Sequence, residues 1–206
     1  MNLPTQLTVL RIILTPIFLV LLFHNGLPSK ILSLIVYIIA SLTDWYDGYY
    51  ARKYDFVSKW GIFLDPLADK ILVSAAFIAF HIMGYVSLWV VIVIVARDFL
   101  ITGLRSYALF KNKPVVTIYL AKVKTFIQMS AVYIIFLIFL LKQYALLNAK
   151  DFFILNFLDS IHFIERLMLL IVLLTIYTGI RYLIENRSHI IAAIKAFYHV
   201  FVPSDL

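Results

Sequence analysis

Six apolar stretches follow one another along this chain, each close to the roughly 20 residues needed to cross a bilayer's hydrocarbon layer. They run near Leu7–Phe23, Ile31–Arg52, Gly61–Met83, Val86–Leu109, Ala121–Leu141 and Glu165–Ile184. The breaks between them fall at Asn25-Gly26-Leu27-Pro28, Lys53–Trp60, Gly84-Tyr85, Lys111–Thr117 and Lys142–His162. In hydrocarbon every backbone polar group must be satisfied inside the segment, so stretches of this length fold as helices. The pattern predicts an all-α, polytopic membrane protein with six transmembrane helices. Composition agrees, with 64% hydrophobic residues, only 14% charged, and a mean hydropathy of +0.98.

Composition also narrows the chemistry. Cysteine is absent, which excludes disulfides, a thiol nucleophile and a zinc–thiolate centre. The five His residues are scattered without metal-ligand spacing. There is no Gly-rich phosphate loop and no basic–aromatic RNA motif. A net charge of +7 on a membrane protein points to anionic headgroups or phosphorylated substrates rather than nucleic acid. Arg11 ahead of the apolar run Ile12–Phe23 has the outline of a signal peptide. His24-Asn25-Gly26-Leu27-Pro28 offers no small-x-small cleavage site, so a retained first helix is expected.

Loop charge sets an orientation. With the N-terminus inside, the cytoplasmic ends carry Arg11, then Arg52, Lys53 and Lys59. Arg97, Arg105, Lys111, Lys113, Lys122 and Lys124 follow, and then Arg181, Arg187 and Lys195. The other side holds only Lys30, Lys142, Lys150 and Arg166, with Lys70 inside a span. This asymmetry predicts both termini in the cytoplasm. Residues 1–186 read as one membrane unit, and 187–206 as a cytoplasmic tail lying along the interface.

Against this apolar background stands one polar constellation, Asp44-x2-Asp47-Gly48-x2-Ala51-Arg52-x8-Gly61-x3-Asp65-x3-Asp69. Each carboxylate at membrane depth costs about 2.5–3.5 kcal/mol, so four cost on the order of 10 kcal/mol unless neutralised. Hard oxygen donors without His or Cys suit two divalent ions such as Mg²⁺, Mn²⁺ or Ca²⁺. On a helix Asp44 and Asp47 lie about 60° apart around the axis, and Asp65 and Asp69 about 40°. The short Lys53–Trp60 connection makes the two helices antiparallel neighbours, so the four carboxylates can converge on a pocket facing the cytoplasm. Gly48 and Ala51 keep one stripe flat for a ligand, and Arg52 adds a cation for a phosphate. Other readings exist for parts of the pattern. Asp65-Pro66 also suits a helix start, Asp69-Lys70 a snorkelled pair, and Asp47 with Arg52 an interfacial salt bridge. An ion or proton pathway also uses intramembrane acids, but these cluster at one membrane face. None of these alternatives accounts for two facing stripes.

The spacing resembles the signature of the CDP-alcohol phosphotransferase family at every fixed position. The resemblance implies a six-helix membrane enzyme that moves a phosphatidyl or phospho-substituted group from a CDP-activated donor to an alcohol. It implies two divalent cations, Mg²⁺ or Mn²⁺, on Asp44, Asp47, Asp65 and Asp69. It also implies Asp69 as the base that deprotonates the acceptor, with Thr8, Gly48, Ala51 and Arg52 lining the CDP site, and a homodimer. Four segments resemble the bacterial, phosphatidylglycerophosphate-forming branch. These are Asn2-Leu3-Pro4-Thr5-Gln6-Leu7-Thr8-x2-Arg11, Phe63 to Lys70, Ala96-Arg97-Asp98-x3-Thr102-Gly103-Leu104-Arg105, and Lys122-Val123-Lys124-Thr125-x2-Gln128. Asp98 and Ala121 depart from that branch, which usually has Glu and Gly there. The branch implies CDP-diacylglycerol as donor, glycerol 3-phosphate as acceptor and the bacterial cytoplasmic membrane as location. Inositol phosphate, serine and phosphatidylglycerol are the other acceptors in view, and a cation-coupled carrier is the reading from a different class.

A phosphorylated acceptor fits the basic residues at the cytoplasmic ends. Asp98, Thr102 and Arg105 share a helical stripe, which turns Arg105 inward if Asp98 is buried. Lys124, Thr125 and Gln128 share another, with Lys122 about 160° from Lys124. Arg105 and Lys124 are therefore the expected acceptor-phosphate ligands. Lys122 is expected to snorkel, and Arg97 and Lys122 serve equally well as topology anchors. Arg181 is a more distant candidate for the same role.

Overall fold

The computed structural model describes residues 3–54, 61–110 and 119–187. Within these, the side chains of 3–5, 44–54, 61–66, 69, 107, 109–110 and 119–122 lie outside the description. The described chain is all helical: α1 (Leu3–Phe23), α2 (Leu27–Tyr54), α3 (Gly61–Ile82), α4 (Leu88–Phe110), α5 (Tyr119–Leu147), α6 (Phe153–Ser160) and α7 (Phe163–Glu185). Among the described residues three helices are long and apolar enough to cross a membrane, namely Gln6–Phe23, Val123–Leu147 and Phe163–Glu185. The apolar parts of α2 and α3 are shorter, Leu27–Thr43 and Lys70–Ile82. In both, the polar end carries the aspartate motif.

Two tight reversals set the hairpins. Gly26, at φ +101°, joins α1 to α2. After α3, Gly84 at φ +81° lets its N–H donate to the His81 carbonyl at 2.9 Å, while the Tyr85 N–H returns to Phe80, also at 2.9 Å. The left-handed glycine ends α3 by satisfying its last carbonyls.

The core has an aromatic centre drawn from α1, α2, α3 and α5, and α4 and α7 extend it with Val90, Val91, Ile94, Met168, Ile171 and Val172. Phe18 packs on Tyr37 with ring centroids 5.3 Å apart and on Phe136 at 6.1 Å, and Phe136 meets Phe80 edge-on at 5.8 Å. Ala40, Ala76, Ala79 and Ala131 are buried among them, and such small residues let helix backbones approach closely. The Ser41 and Tyr133 hydroxyls join α2 to α5 by a short hydrogen bond. Outward lie Val20, Leu137, Leu173 and Ile180, all exposed. An apolar exterior of this kind suits lipid rather than water.

One element departs from the sequence reading. The stretch Lys142–His162, expected to be a break, instead extends α5 to Leu147 and forms α6. This short helix is two-faced. Leu155 is buried and Leu158 half-buried, Phe153, Ile154 and Phe157 are exposed and apolar, and Asn156, Asp159 and Ser160 make an exposed polar edge. Asp159 accepts a hydrogen bond from Lys142 Nζ at 2.6 Å, which ties α6 back to α5.

Candidate functional site

Asp44, Asp47, Gly48, Ala51 and Arg52 all lie within α2, and Gly61, Asp65 and Asp69 within α3, so each half of the motif rides on one continuous helix. Because α3 already begins at Gly61, Asp65-Pro66 does not start a helix, and the capping alternative falls. The side chains of Asp44, Asp47, Asp65, Asp69, Ala51, Arg52 and Lys122 lie outside the described residues. Among the described residues no three His, Cys, Asp or Glu side chains gather as a metal centre.

The first helix brings polar groups to the same level. Thr8, Arg11 and Thr15 are buried in α1, and Arg11 Nε donates to the Ala40 carbonyl of α2 at 3.3 Å. Ala40 stands one turn before Asp44. With α1 and α2 antiparallel, Thr8 comes level with the first aspartate. Arg11 thus works inside the bundle, not only as the charged anchor its position suggested.

A second polar group forms where α4, α5 and α7 meet. Asp98 Oδ1 accepts from Lys124 Nζ at 2.6 Å and from Arg97 NH1 at 3.0 Å. The three side chains are 3%, 1% and 16% exposed respectively. Arg97 NH2 reaches across to α7 and donates to Thr178 Oγ1 at 2.9 Å. Thr178 in turn donates to the Leu174 carbonyl at 2.7 Å, so its hydroxyl is oriented to receive the guanidinium. Gly179 lies beside the crossing, where a methyl would meet Arg97 Cγ at 3.4 Å and its Nε at 3.6 Å, ordinary van der Waals contact. Lys70 of α3, next to Asp69, lies within electrostatic reach of both Asp98 and Lys124. The α4–α5–α7 group therefore stands at the depth of the last motif aspartate. Two cations face one carboxylate, so the bonded group carries a net positive charge in a largely buried place.

Of the acceptor candidates, Arg97 and Lys124 come together through Asp98, while Arg105 does not turn inward. Asp98 is buried as the stripe required, yet Arg105 is exposed. Arg105 stands within electrostatic reach of Tyr182 on α7, as Arg97 does. Arg181 is exposed and donates to Glu185 on its own helix at 2.8 Å, apart from this group. Thr178 and Gly179 were not foreseen. Their only trace in the sequence is a Thr175–Thr178–Gly179 stripe of small residues within an apolar helix, the kind that seats close helix crossings.

A family model described as CDP-alcohol phosphatidyltransferase matches residues 1–155. The chain is 43% identical over 143 residues to a protein of Bacillus subtilis, covering 64% of this chain and 74% of that one. It is 39% identical over 136 residues to one from Rickettsia typhi, covering 66% and 76%. A third, from Salmonella typhimurium, is 38% identical over 135 residues, covering 63% and 74%. All three are named CDP-diacylglycerol–glycerol-3-phosphate 3-phosphatidyltransferase. The match to the family model encloses the whole aspartate signature and ends before α7.

Proposed function

The chain belongs to the CDP-alcohol phosphatidyltransferase family, and from that premise we propose that it transfers the phosphatidyl group of CDP-diacylglycerol to glycerol 3-phosphate, giving phosphatidylglycerophosphate and CMP. The observation that carries the reading is the family match over residues 1–155, which holds the complete aspartate signature, together with relatives named for this reaction.

The site is read as follows. Asp44, Asp47, Asp65 and Asp69 would hold two divalent cations, Mg²⁺ or Mn²⁺. The donor set fits them, with four carboxylates spaced one turn apart on the ends of two helices and no soft ligand. When bound, such a pair neutralises pyrophosphate charge and holds the attacking and leaving oxygens. Thr8, Gly48, Ala51 and Arg52 line the CDP site, and the burial of Thr8 level with Asp44 supports its place there. Asp69 takes the proton of the primary hydroxyl of glycerol 3-phosphate. That oxygen forms a bond to the lipid-bearing phosphorus, the phosphorus–oxygen bond to CMP breaks, and CMP leaves with the bonding pair. Arg97, Arg105, Lys122 and Lys124 form the basic surround for the acceptor's phosphate.

The protein sits in the bacterial cytoplasmic membrane as a homodimer, with six spans, both termini inside and the pocket open to the cytoplasm. Residues 1–186 are the membrane domain and 187–206 an interfacial tail. Helix lengths support this. α2 has 28 residues, about 42 Å, so it outruns a hydrocarbon layer of roughly 30 Å and can carry its motif end to the headgroups.

The test is CMP release from CDP-diacylglycerol by the purified protein with Mg²⁺ or Mn²⁺, with and without glycerol 3-phosphate. Release that requires both metal and glycerol 3-phosphate is expected. Release driven only by another alcohol overturns the acceptor, and no release with any acceptor, from folded protein, overturns the reaction.

A further inference from the structure

The positive group at the α4–α5–α7 junction divides its labour unevenly. Lys124 is almost fully enclosed, with its ammonium committed to Asp98 at 2.6 Å, so an aqueous phosphate meets it only by displacing that carboxylate. Arg97 is the more open of the two, with 16% of its side chain exposed. Its guanidinium has five N–H groups in a planar fork. NH1 is used on Asp98 and NH2 on Thr178, while Nε is buried with no hydrogen-bond partner among the described residues. Three elements fix this fork. Asp98 pulls it from its own helix, Lys124 holds Asp98 in place from α5, and α7 supplies Thr178 as acceptor. Asp98 is shared between Lys124 and Arg97, so this ion-paired group of described side chains keeps one net positive charge at the depth of Lys70 and Asp69. A phosphate dianion suits a guanidinium held in this way, because it accepts paired hydrogen bonds from the planar fork.

We propose that Asp98 and Thr178 are positioning residues that hold the Arg97 guanidinium as the ligand for the acceptor's phosphate, with Lys124 holding Asp98 in place. The acceptor site then includes α7, which lies outside the segment that matches the family model. The proposal rests on the reading that the acceptor carries a phosphate.

The test compares the full-length enzyme with Thr178→Val, Asp98→Asn and Asp98→Glu, measuring kcat and both KM values, with melting temperature alongside. Inorganic phosphate as competitor of glycerol 3-phosphate gives a second readout. Thr178→Val removes one hydrogen bond to a charged group and should raise the acceptor KM on the order of tenfold. The phosphate inhibition constant should rise by the same factor, with the CDP-diacylglycerol KM unchanged. Asp98→Glu should recover most of what Asp98→Asn loses. Equal changes in both KM values, or an unchanged acceptor KM and phosphate inhibition constant in folded Thr178→Val, overturn the proposal. If Asp98→Asn does not fold, Thr178→Val decides the matter alone. A wild-type enzyme that ignores glycerol 3-phosphate but uses an unphosphorylated alcohol overturns the reading beneath it, an outcome visible before any variant is made.

Discussion

Replacing Asp98 by Ala removes the acceptor shared by Lys124 at 2.6 Å and Arg97 at 3.0 Å. Two magnitudes compete for the result. If the carboxylate acts as an ordinary interhelical hydrogen-bond partner in a membrane bundle, its loss costs about 0.6 kcal/mol and at most about 1.7 kcal/mol. If it compensates buried charge, the loss strands an ammonium that is 1% exposed, and breaking such a pair costs about 3–5 kcal/mol. The burial of both partners selects the larger figure. Arg97 softens the loss only a little, because it keeps Thr178 and some solvent. The companion variant Asp98→Ala/Lys124→Met removes both charges and fills the space with an apolar chain, so it should recover at least half of the loss, as charge-for-apolar replacements do. The assay is reversible unfolding of the purified protein in mixed micelles, followed by circular dichroism across an SDS titration. The reasoning is refuted if Asp98→Ala costs less than about 1.7 kcal/mol, or if the double variant is no more stable than the single one.

Three further outcomes follow from other parts of the molecule. Asp69→Asn should leave CDP-diacylglycerol binding near normal while turnover drops by about 10²–10⁴-fold, as loss of a general base does; near-normal turnover removes Asp69 as the base. Gly84→Ala, at φ +81°, should lower stability by about 1–2 kcal/mol with activity per folded molecule unchanged, because a Cβ is disfavoured in the left-handed region. Burial, helped by the Asp159 carboxylate, pushes the Tyr85 hydroxyl above its ordinary value of 10.0. The folded protein therefore keeps a proton that the unfolded chain releases, and stabilisation present below pH 10.0 is lost as pH rises past it. Tyr85→Phe should remove that part of the alkaline loss; an identical decline in both proteins between about pH 9 and 11 contradicts it.

What the sequence discloses here depends on how each feature is encoded. Helix class and the placement of both aspartate pairs on continuous helices are legible because they rest on long apolar runs and fixed spacing, signals that many residues share. α6 escapes that logic. An eight-residue helix is two-faced but far too short for a span, and with Lys142, Lys150 and Asp151 ahead of it the stretch reads as a polar break. The exposure of Arg105 is hidden for another reason. The stripe from Asp98 is real, but periodicity fixes a face and not how far it is covered, and Arg105 is exposed while Asp98 is buried. Thr178 carries no charge and no motif. Its role exists only once Arg97 is seen lying across α7.

That crossing also bears on how the bundle holds its last helix. In lipid the hydrophobic effect gives no preference for helix against helix over helix against acyl chain, so association relies on close packing and polar contacts. The outward face of α7 is apolar, with Leu169, Leu173, Ile176 and Ile180 exposed, and offers nothing that lipid would not match. Its inward face offers Met168, Ile171 and Val172 in the shared core and, further along, Thr178 and Gly179 against Arg97. The polar part of that seam is therefore also the proposed phosphate site. Anything that binds Arg97 changes the charge against which α7 is docked, and anything that loosens α7 releases Arg97. On these grounds glycerol 3-phosphate should protect the α7 backbone around Thr178 from hydrogen exchange more than CDP-diacylglycerol does, although the donor is the larger ligand.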